Sequence, residues 1–316
     1  MEIKRRDFLK GLAGSAVLAM APPAMASSSE KDRLPGALGL LYDSTICVGC
    51  QVCMVACKKA NNMPPEFSGS QKRWDDPVDL SAKTLNIIKK YDNGTQKEKD
   101  REIDGYAFVK RHCMHCVDPA CVSACPASAL TKDAKTGVVS YNKDACIGCR
   151  YCQVACPFNV PKFEWDNPFP KIVKCQLCSH LLAKDQIPAC CGECPTGASL
   201  FGPVADLEKE AERRQQMTAG KYYEFPESEM SSTKIQVHKA KKYIPNIYGK
   251  NEVGGTQVLM LSGVTFDKLG LPMLPDRSYT ALAENIQHTI YKGMILPIVA
   301  LGGLIFLVKR TEKKKE

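Results

Sequence analysis

The chain has 316 residues, room for two compact domains, and an ordinary hydrophobic content of 44%. Seventeen cysteines are not ordinary: in an exported chain they usually mean disulfides, in an intracellular one metal, so compartment and spacing have to be read together. Of the net charge of +9, residues 1–26 supply +2 and residues 309–316 supply +3, and no basic patch interleaves with aromatics, which excludes nucleic-acid binding.

The first 26 residues read as a targeting segment. Lys4-Arg5-Arg6 opens it, residues 11–21 are small and apolar, and Ala24-Met25-Ala26 offers a cleavage site. Paired arginines before a weakly hydrophobic, Gly- and Ala-rich stretch resemble a twin-arginine signal. That route carries folded proteins, so a cofactor can be inserted before export.

Cysteines then come in four groups. Group one is Cys47, Cys50, Cys53 and Cys57. Group two is Cys113, Cys116, Cys121 and Cys125. Group three is Cys146, Cys149, Cys152 and Cys156. Group four is Cys175, Cys178, the pair Cys190-Cys191, and Cys194. Groups one and three follow C-x2-C-x2-C-x3-C, the bacterial ferredoxin run that holds 4Fe–4S clusters. Three thiolates converge from one tightly wound loop, and the fourth leaves on the helix that follows. Gly49 and Gly148 let the backbone wrap closely and aim amides at sulfur. Zinc would fit group two or four alone, but not two full runs. In groups one, two and three the last two cysteines are separated by three residues. Only Cys190 keeps that spacing to Cys194, so Cys190 is the ligand and Cys191 a buried neighbour, with a register swap between them as the alternative. His112 and His115 stand beside a complete cysteine set and are expected to support it or to lie at the surface.

Between the groups, residues 58–112 form a polar insertion with a hairpin signal at Asn93-Gly94. Residues 135–141 predict a turn and a short strand. Residues 204–216 read as a charged surface helix. The stretch 203–285 contains no cysteine and predicts an extended arm. Residues 290–308 are apolar except for Lys292 and predict a membrane helix, with a buried core helix as the alternative. The basic tail 309–316 places that end in the cytoplasm. His288, just before the span, reads as an interfacial polar residue.

Group one aligns with group three, and group two with group four, so the chain carries a duplicated unit. In two-cluster ferredoxins the fourth cysteine of a run ligates the other cluster. Groups two and three, joined by a short turn, then form an inner domain at about 107–165. Groups one and four form an outer one, 40–60 plus 170–202, within a four-cluster region 40–202. The fold class expected is α+β, two nested ferredoxin-like domains with an arm and one membrane helix. Crossing the fourth cysteines gives four sets: Cys47, Cys50, Cys53, Cys194; Cys57, Cys175, Cys178, Cys190; Cys113, Cys116, Cys121, Cys156; and Cys125, Cys146, Cys149, Cys152. Pairing group one with group two is the competing arrangement.

The order of the groups resembles the four-cluster ferredoxin-type subunits of the dimethyl-sulfoxide reductase and formate dehydrogenase families. LYDSTICVGCQVC, KRHCMHCVDPACVSACPASAL, CRYCQVACPFNVPKF, GGTQVL and ENIQHTIYKGMILP resemble, more closely, the iron–sulfur subunits of membrane-bound nickel–iron uptake hydrogenases. The resemblance spans nearly the whole chain. It implies a periplasmic, membrane-anchored electron-transfer subunit with four 4Fe–4S clusters and no substrate chemistry of its own. Its partners would be hydrogenase large and small subunits and an integral membrane quinone-reactive subunit. The same relay serving a molybdenum oxidoreductase such as a formate dehydrogenase is the alternative, and a zinc-binding adaptor is a further one.

Overall fold

The computed structural model describes residues 32–280, together with 293–294, 297–299, 301–306 and 308–309. The expected signal segment 1–26, His288, and much of the expected span 290–308 and tail 309–316 lie outside the described residues.

Strands deliver each cysteine group. β1 (Leu38–Asp43) leads into group one, and α1 (Val52–Ala60) carries Cys53 and Cys57 out of it. β2 (Ile87–Asp92), the short β3 (Glu98–Lys99) and β4 (Gly105–Arg111) follow, and β4 runs into group two, whose Cys121 sits on α2 (Ala120–Ser123). β5 (Leu130–Lys132) and β6 (Val139–Tyr141) form the antiparallel link to group three and to α3 (Tyr151–Ala155), which holds Cys152. β7 (Lys162–Phe163) and β8 (Ile172–Val173) form the next antiparallel link, to group four, with α4 (Ser179–Leu182) and α5 (Ala189–Gly192). β9 (Ser199–Pro203), α6 (Val204–Gln215), the pair β10 (Tyr222–Pro226) and β11 (Ile235–Lys239), and β12 (Val258–Leu261) complete the order.

The duplication is visible in the pairing. β5 follows group two and pairs with β6, which precedes group three; β9 follows group four and pairs antiparallel with β1, which precedes group one. The helices repeat this: α1 packs on α5, and α2 on α3.

β1 is the middle of a three-stranded sheet ordered β12-β1-β9, with Leu40 opposite both Val258 and Phe201. Its LGLLYD sequence is apolar on both faces because both are covered. Leu40 and Tyr42 face one core with Val258, Met260 and Phe201. Leu41 faces another with Leu200, Leu259, Leu261 and the Val204, Leu207 and Ala211 stripe of α6. Period-two alternation on three strands produces the two cores, and each fully buried Leu contributes about 1.5–3 kcal/mol.

Three expectations from sequence are corrected here. First, Asn93-Gly94 does make a turn, with the Asn93 N–H donating to Gly105 O, but the returning strand begins only at Gly105, and β3 pairs parallel to it. Asp104 Oδ1 accepts the Thr95 N–H and caps a longer loop instead of a two-residue hairpin. Second, residues 217–278 are not an extended arm. β12 supplies the edge of the central sheet, the Val117 N–H donates to Gly255 O, and Gln257 N–H donates to the Met114 and His115 carbonyls, so the GGTQVL stretch closes on group two. Its short apolar run lacks a helical period because it is a fully buried strand. Third, α6 is not only a surface helix: Arg214 is fully buried, bonded to Glu210 and to Asp43 at the end of β1. The described residues up to Ser278 form one compact unit.

Within the expected span, the described residues are helical, and Met294, Ile298, Val299, Leu301, Leu304, Ile305, Phe306 and Val308 are exposed. Among the described residues no helix is long and apolar enough to cross a membrane.

Candidate metal centres

Groups one and three have the same backbone. Gly49 and Gly148 take φ of 66° and 71°, and Gln51 and Arg150 both take φ of 65° immediately before α1 and α3. This left-handed pair of positions winds the loop tightly enough to bring three thiols to one side. It also aims amides at sulfur: the Gly49 N–H lies 3.5 Å from Cys47 Sγ, and the Gly148 N–H 3.4 Å from Cys146 Sγ. A Cβ on Gly49 would stand 2.4 Å from the Phe108 ring, so the position has no room for a side chain. Five residues before the first cysteine of each run stands a tyrosine. The Tyr42 hydroxyl donates to Phe108 O at 3.1 Å, and both tyrosines lie within electrostatic reach of the first cysteine of their run.

Groups two and four share a second pattern. His115 and Leu177, each just before the second cysteine, take φ of 48° and 52°. Ser128 and Gly197, three residues after Cys125 and Cys194, take φ of 49° and 64°. The Ala129 N–H then lies 3.2 Å from Cys125 Sγ.

The loops gather the thiols into four neighbourhoods. Cys47 and Cys53 lie within electrostatic reach of each other and of Cys194. Cys57 is in reach of Cys178 and Cys190, and Cys175 of all three. Cys116 and Cys121 are in reach of Cys113 and Cys156. Cys152 is in reach of Cys125, Cys146 and Cys149. Cys50 follows on the group-one loop beside Cys47, half-buried. Links between neighbourhoods set them in a row: Cys53 reaches Cys190, Cys175 reaches Cys113, and Cys121 reaches Cys152.

All seventeen thiols are free. Burial pushes Cys57 and Cys121 up to about 12 and Cys152 up to about 11. Loading metal therefore displaces protons that burial holds in place. Burial alone would raise Cys146 too, but the Tyr141 hydroxyl and the Ile172 and Gly148 N–H groups outweigh it and bring it below the ordinary thiol value. Among the described residues no three Cys, His, Asp or Glu side chains converge closely enough to hold a single metal ion. Zinc thiolates about 2.3 Å from one metal would have to. An apolar cavity lies between Cys125, Cys146, Cys149 and Cys152, walled by Ala129, Leu130 and Ile172. Spaced thiols around apolar space, with amide donors on their sulfurs, fit an iron–sulfur cubane.

Cys191 is fully buried. The adjacent Cys191 first, and then, against burial, the Lys110 ammonium hold Cys190 below the ordinary thiol range, while burial pushes Cys191 up. His112 and His115 are buried, not at the surface. Burial and the Lys110 charge hold His112 down at about 3, so it is neutral. His115 Nδ1 accepts the Val139 N–H at 3.1 Å, which leaves the proton on Nε2.

The profile of the 4Fe-4S dicluster domain family matches residues 105–204, from β4 to the start of α6. A protein of Escherichia coli O157:H7, the hydrogenase-2 operon protein HybA, is 47% identical over 317 residues, covering 98% of this chain and 96% of its own length. The chain belongs to the HybA family. The iron–sulfur subunit of the nitrate-inducible formate dehydrogenase of Escherichia coli K12 is more distant, 29% identical over 97% of this chain and 93% of its own. The formate dehydrogenase iron–sulfur subunit of Haemophilus influenzae is 30% identical over 96% and 86%. The HybA relationship spans group one and the C-terminal residues, which the domain profile leaves out.

Sequence reading missed two kinds of functional residue. The tyrosines were findable, since both stand five residues before a run. The buried lysines Lys110 and Lys174 were not, because nothing in the sequence separates them from the chain's many surface lysines.

Proposed function

We propose that the chain is the electron-relay subunit of a hydrogenase of the HybA type, and that it holds four 4Fe–4S clusters on the four crossed sets of cysteines given above. The bound clusters supply one-electron redox chemistry. The chain holds them in a row, keeps water from their inner faces, and sets hydrogen bonds on their ligand sulfurs. It is an electron-transfer subunit and not itself the catalyst. The observation that carries the ligand sets is the exchange of fourth cysteines: Cys57 lies among the thiols of group four, and Cys156 among those of group two. The contacts α1 with α5 and α2 with α3 support the same pairing over the group-one-with-group-two alternative.

The subunit passes electrons between the hydrogenase large and small subunits and an integral membrane quinone-reactive subunit. Exposed apolar side chains stand at matching repeat positions at both ends of the row: Val48, Val52 and Val55 at one, Ile147, Tyr151 and Val154 at the other. Contact with a different partner at each end would cover them. The paired arginines support export by the twin-arginine route, and the apolar stretch 290–308 with its basic flank supports a single anchoring helix with the folded part on the periplasmic side.

Elemental analysis of the complex, drawn from membranes in mild detergent through a tag on this chain, tests the reading. About sixteen iron atoms per copy beyond the partners' own, with nickel present, is the expected result. Molybdenum without nickel would replace the enzyme served. Zinc without visible charge-transfer absorption would overturn the relay.

A further inference from the structure

The two four-cysteine runs share a backbone but not their surroundings. The chain has two tryptophans, and one stands at each run. Each stacks on a phenylalanine that lies beside the loop glycine: Trp74 on Phe108, with ring centroids 5.3 Å apart, at Gly49, and Trp165 on Phe163, 4.9 Å apart, at Gly148. Trp165 is 70% exposed, whereas Trp74 is half-buried. Trp74 belongs to residues 64–84, part of the insertion between groups one and two, and this segment is fastened to the group-one loop and to α1. Lys58 Nζ of α1 donates to Pro64 O at 3.0 Å and to Thr84 Oγ1 at 2.9 Å, and Gln51 Nε2 donates to Arg73 O at 3.2 Å.

Trp74 sits on the single helical turn Arg73–Asp75. Its indole N–H donates to Gly49 O at 2.9 Å, and Gly49 stands between Cys47 and Cys50. A half-buried tryptophan with its N–H satisfied is ordinary packing. Two further contacts set this one apart. The buried Phe108 ring fills the space beside Gly49, so the glycine is gripped from two sides, Phe108 against its Cα and the indole on its carbonyl. Lys90 Nζ and the Arg73 guanidinium lie 5.2 and 5.8 Å from the indole centroid, and cations over a ring hold it in place. Cys50, next along the loop, is only half-buried, so what lies over this loop decides how much water reaches it.

We propose that Trp74 is a positioning residue of the relay: latched to the Gly49 carbonyl, its ring keeps water from the cluster on Cys47, Cys50, Cys53 and Cys194 and so holds that cluster's reduction potential down. The inference rests on the ligand sets proposed above. The physical reason is the difference between water and an aromatic ring as surroundings for charge. Adding one electron makes a cluster more negative, and water stabilises the added charge better than an indole does. Covering the loop therefore disfavours the reduced state, and uncovering it favours that state. No bond is made or broken, and the electron comes from the neighbouring carriers of the relay. The cluster at group three, whose tryptophan is exposed, lacks this cover.

Redox potentiometry followed by electron paramagnetic resonance on the intact detergent-extracted complex tests this. The cluster in question is identified as the one whose signal is lost in Cys50→Ser. In Trp74→Ala its reduced-to-oxidised ratio at a fixed ambient potential rises about tenfold, a shift of about 59 mV for one electron. After exchange into heavy water, the deuterium modulation of its echo deepens, which reports the water directly. Trp74→Phe keeps a ring and loses the N–H; it stays within about twofold of the parent, with the modulation unchanged. Trp74→Gln keeps a donor for the Gly49 carbonyl and loses the ring; it shifts as Trp74→Ala does, and it decides alone should Trp74→Ala fail to retain iron. The cluster on Cys125, Cys146, Cys149 and Cys152 stays in place in all three. The opposite pattern, with Trp74→Phe shifted and Trp74→Gln unmoved, overturns the proposal and leaves Trp74 a latch alone. Unmoved potentials in every iron-replete variant overturn it as well. Loss of different signals in Cys50→Ser and Cys194→Ser overturns instead the ligand set beneath it.

Discussion

At the scale of single residues, the opposed fates of neighbouring thiols are the sharpest consequence of the geometry. Cys190 and Cys191 are adjacent in sequence, yet the thiol of one is pushed below the ordinary range and that of the other above it. Cys191→Ser is expected to leave iron content intact. Cys125→Ser is expected to disturb one cluster, losing up to about four iron atoms per chain and hydrogen-dependent quinone reduction with them. Iron analysis and quinone-reduction assays on the two variants check this, and equal losses would overturn the register. Asp100 gives a pH test away from the thiols. Burial first, and then opposing attraction to Lys99, leave its carboxyl raised to about 6. A folded value above the unfolded one means that the native state binds the proton more tightly, so stability is full below about 4 and is lost as pH rises through about 6. Asp100→Asn lacks that loss. Melting curves from pH 4 to 7.5 should show the variant gaining on the parent, by up to about 3 kcal/mol before solvent screening is discounted; a constant difference would contradict it.

At the scale of elements, two short segments bear most of the consequence. The first is the Gly49 turn, where φ is positive and the Phe108 ring fills the space a Cβ would need. Gly49→Ala should cost about 1–3 kcal/mol and lower iron loading of the outer pair, read by melting and iron analysis. The second is the end of β1. Asp43 accepts from Thr45 N and Oγ1 at 2.9 and 2.7 Å, and its other oxygen takes Arg214 at 2.9 Å and Tyr243 at 2.8 Å. Arg214 lies over the Phe225 ring at 4.7 Å and also binds Glu210. This largely buried network ties β1, α6 and the residues after β11 just upstream of Cys47. Arg214→Met leaves the buried Asp43 carboxylate without its cation, while Glu210 keeps Arg213, and is expected to destabilise by about 3–5 kcal/mol. Chemical denaturation is the measurement, and a loss below about 1 kcal/mol would mean that the network relaxes to water. Both segments contain signals that sequence alone displays only in part. Gly49 stands inside a recognisable run, whereas Arg214 reads as one more charge on a charged helix.

At the scale of the whole molecule, the C-terminal third divides in two. Residues through Ser278 belong to the folded unit, with β12 paired to β1 and the Ser278 hydroxyl donating to Asp118 Oδ2 at 2.7 Å. Ending the chain after Ser278 should leave iron content unchanged and release the protein from membranes. Ending it before Val258 should abolish soluble, iron-loaded protein, because β1 loses its parallel neighbour and both cores lose a wall. Fractionation and iron analysis of the two truncations check this. Membrane retention of the first would overturn the anchor proposed for residues 290–308.

The sequence by itself determined the chemistry. Cysteine spacing is a local code: three thiols two residues apart on a loop that must turn tightly specify a cluster whatever surrounds them, and the tandem resemblance of the groups exposes the duplication. For the odd cysteine the spacing offers a reading of its own, since only Cys190 keeps the interval to Cys194. The tertiary structure decided everything that joins distant residues. The row of thiol neighbourhoods depends on contacts such as Cys175 with Cys113. The closing of the GGTQVL stretch on group two depends on Gln257 meeting the Met114 and His115 carbonyls. The placing of Lys110 depends on β4 and β9 meeting in one core. Local spacing carries no information about which far segment will supply a partner. That choice is made by the burial of apolar faces on β1, β9 and β12, which a linear pattern shows as hydrophobic without showing against what.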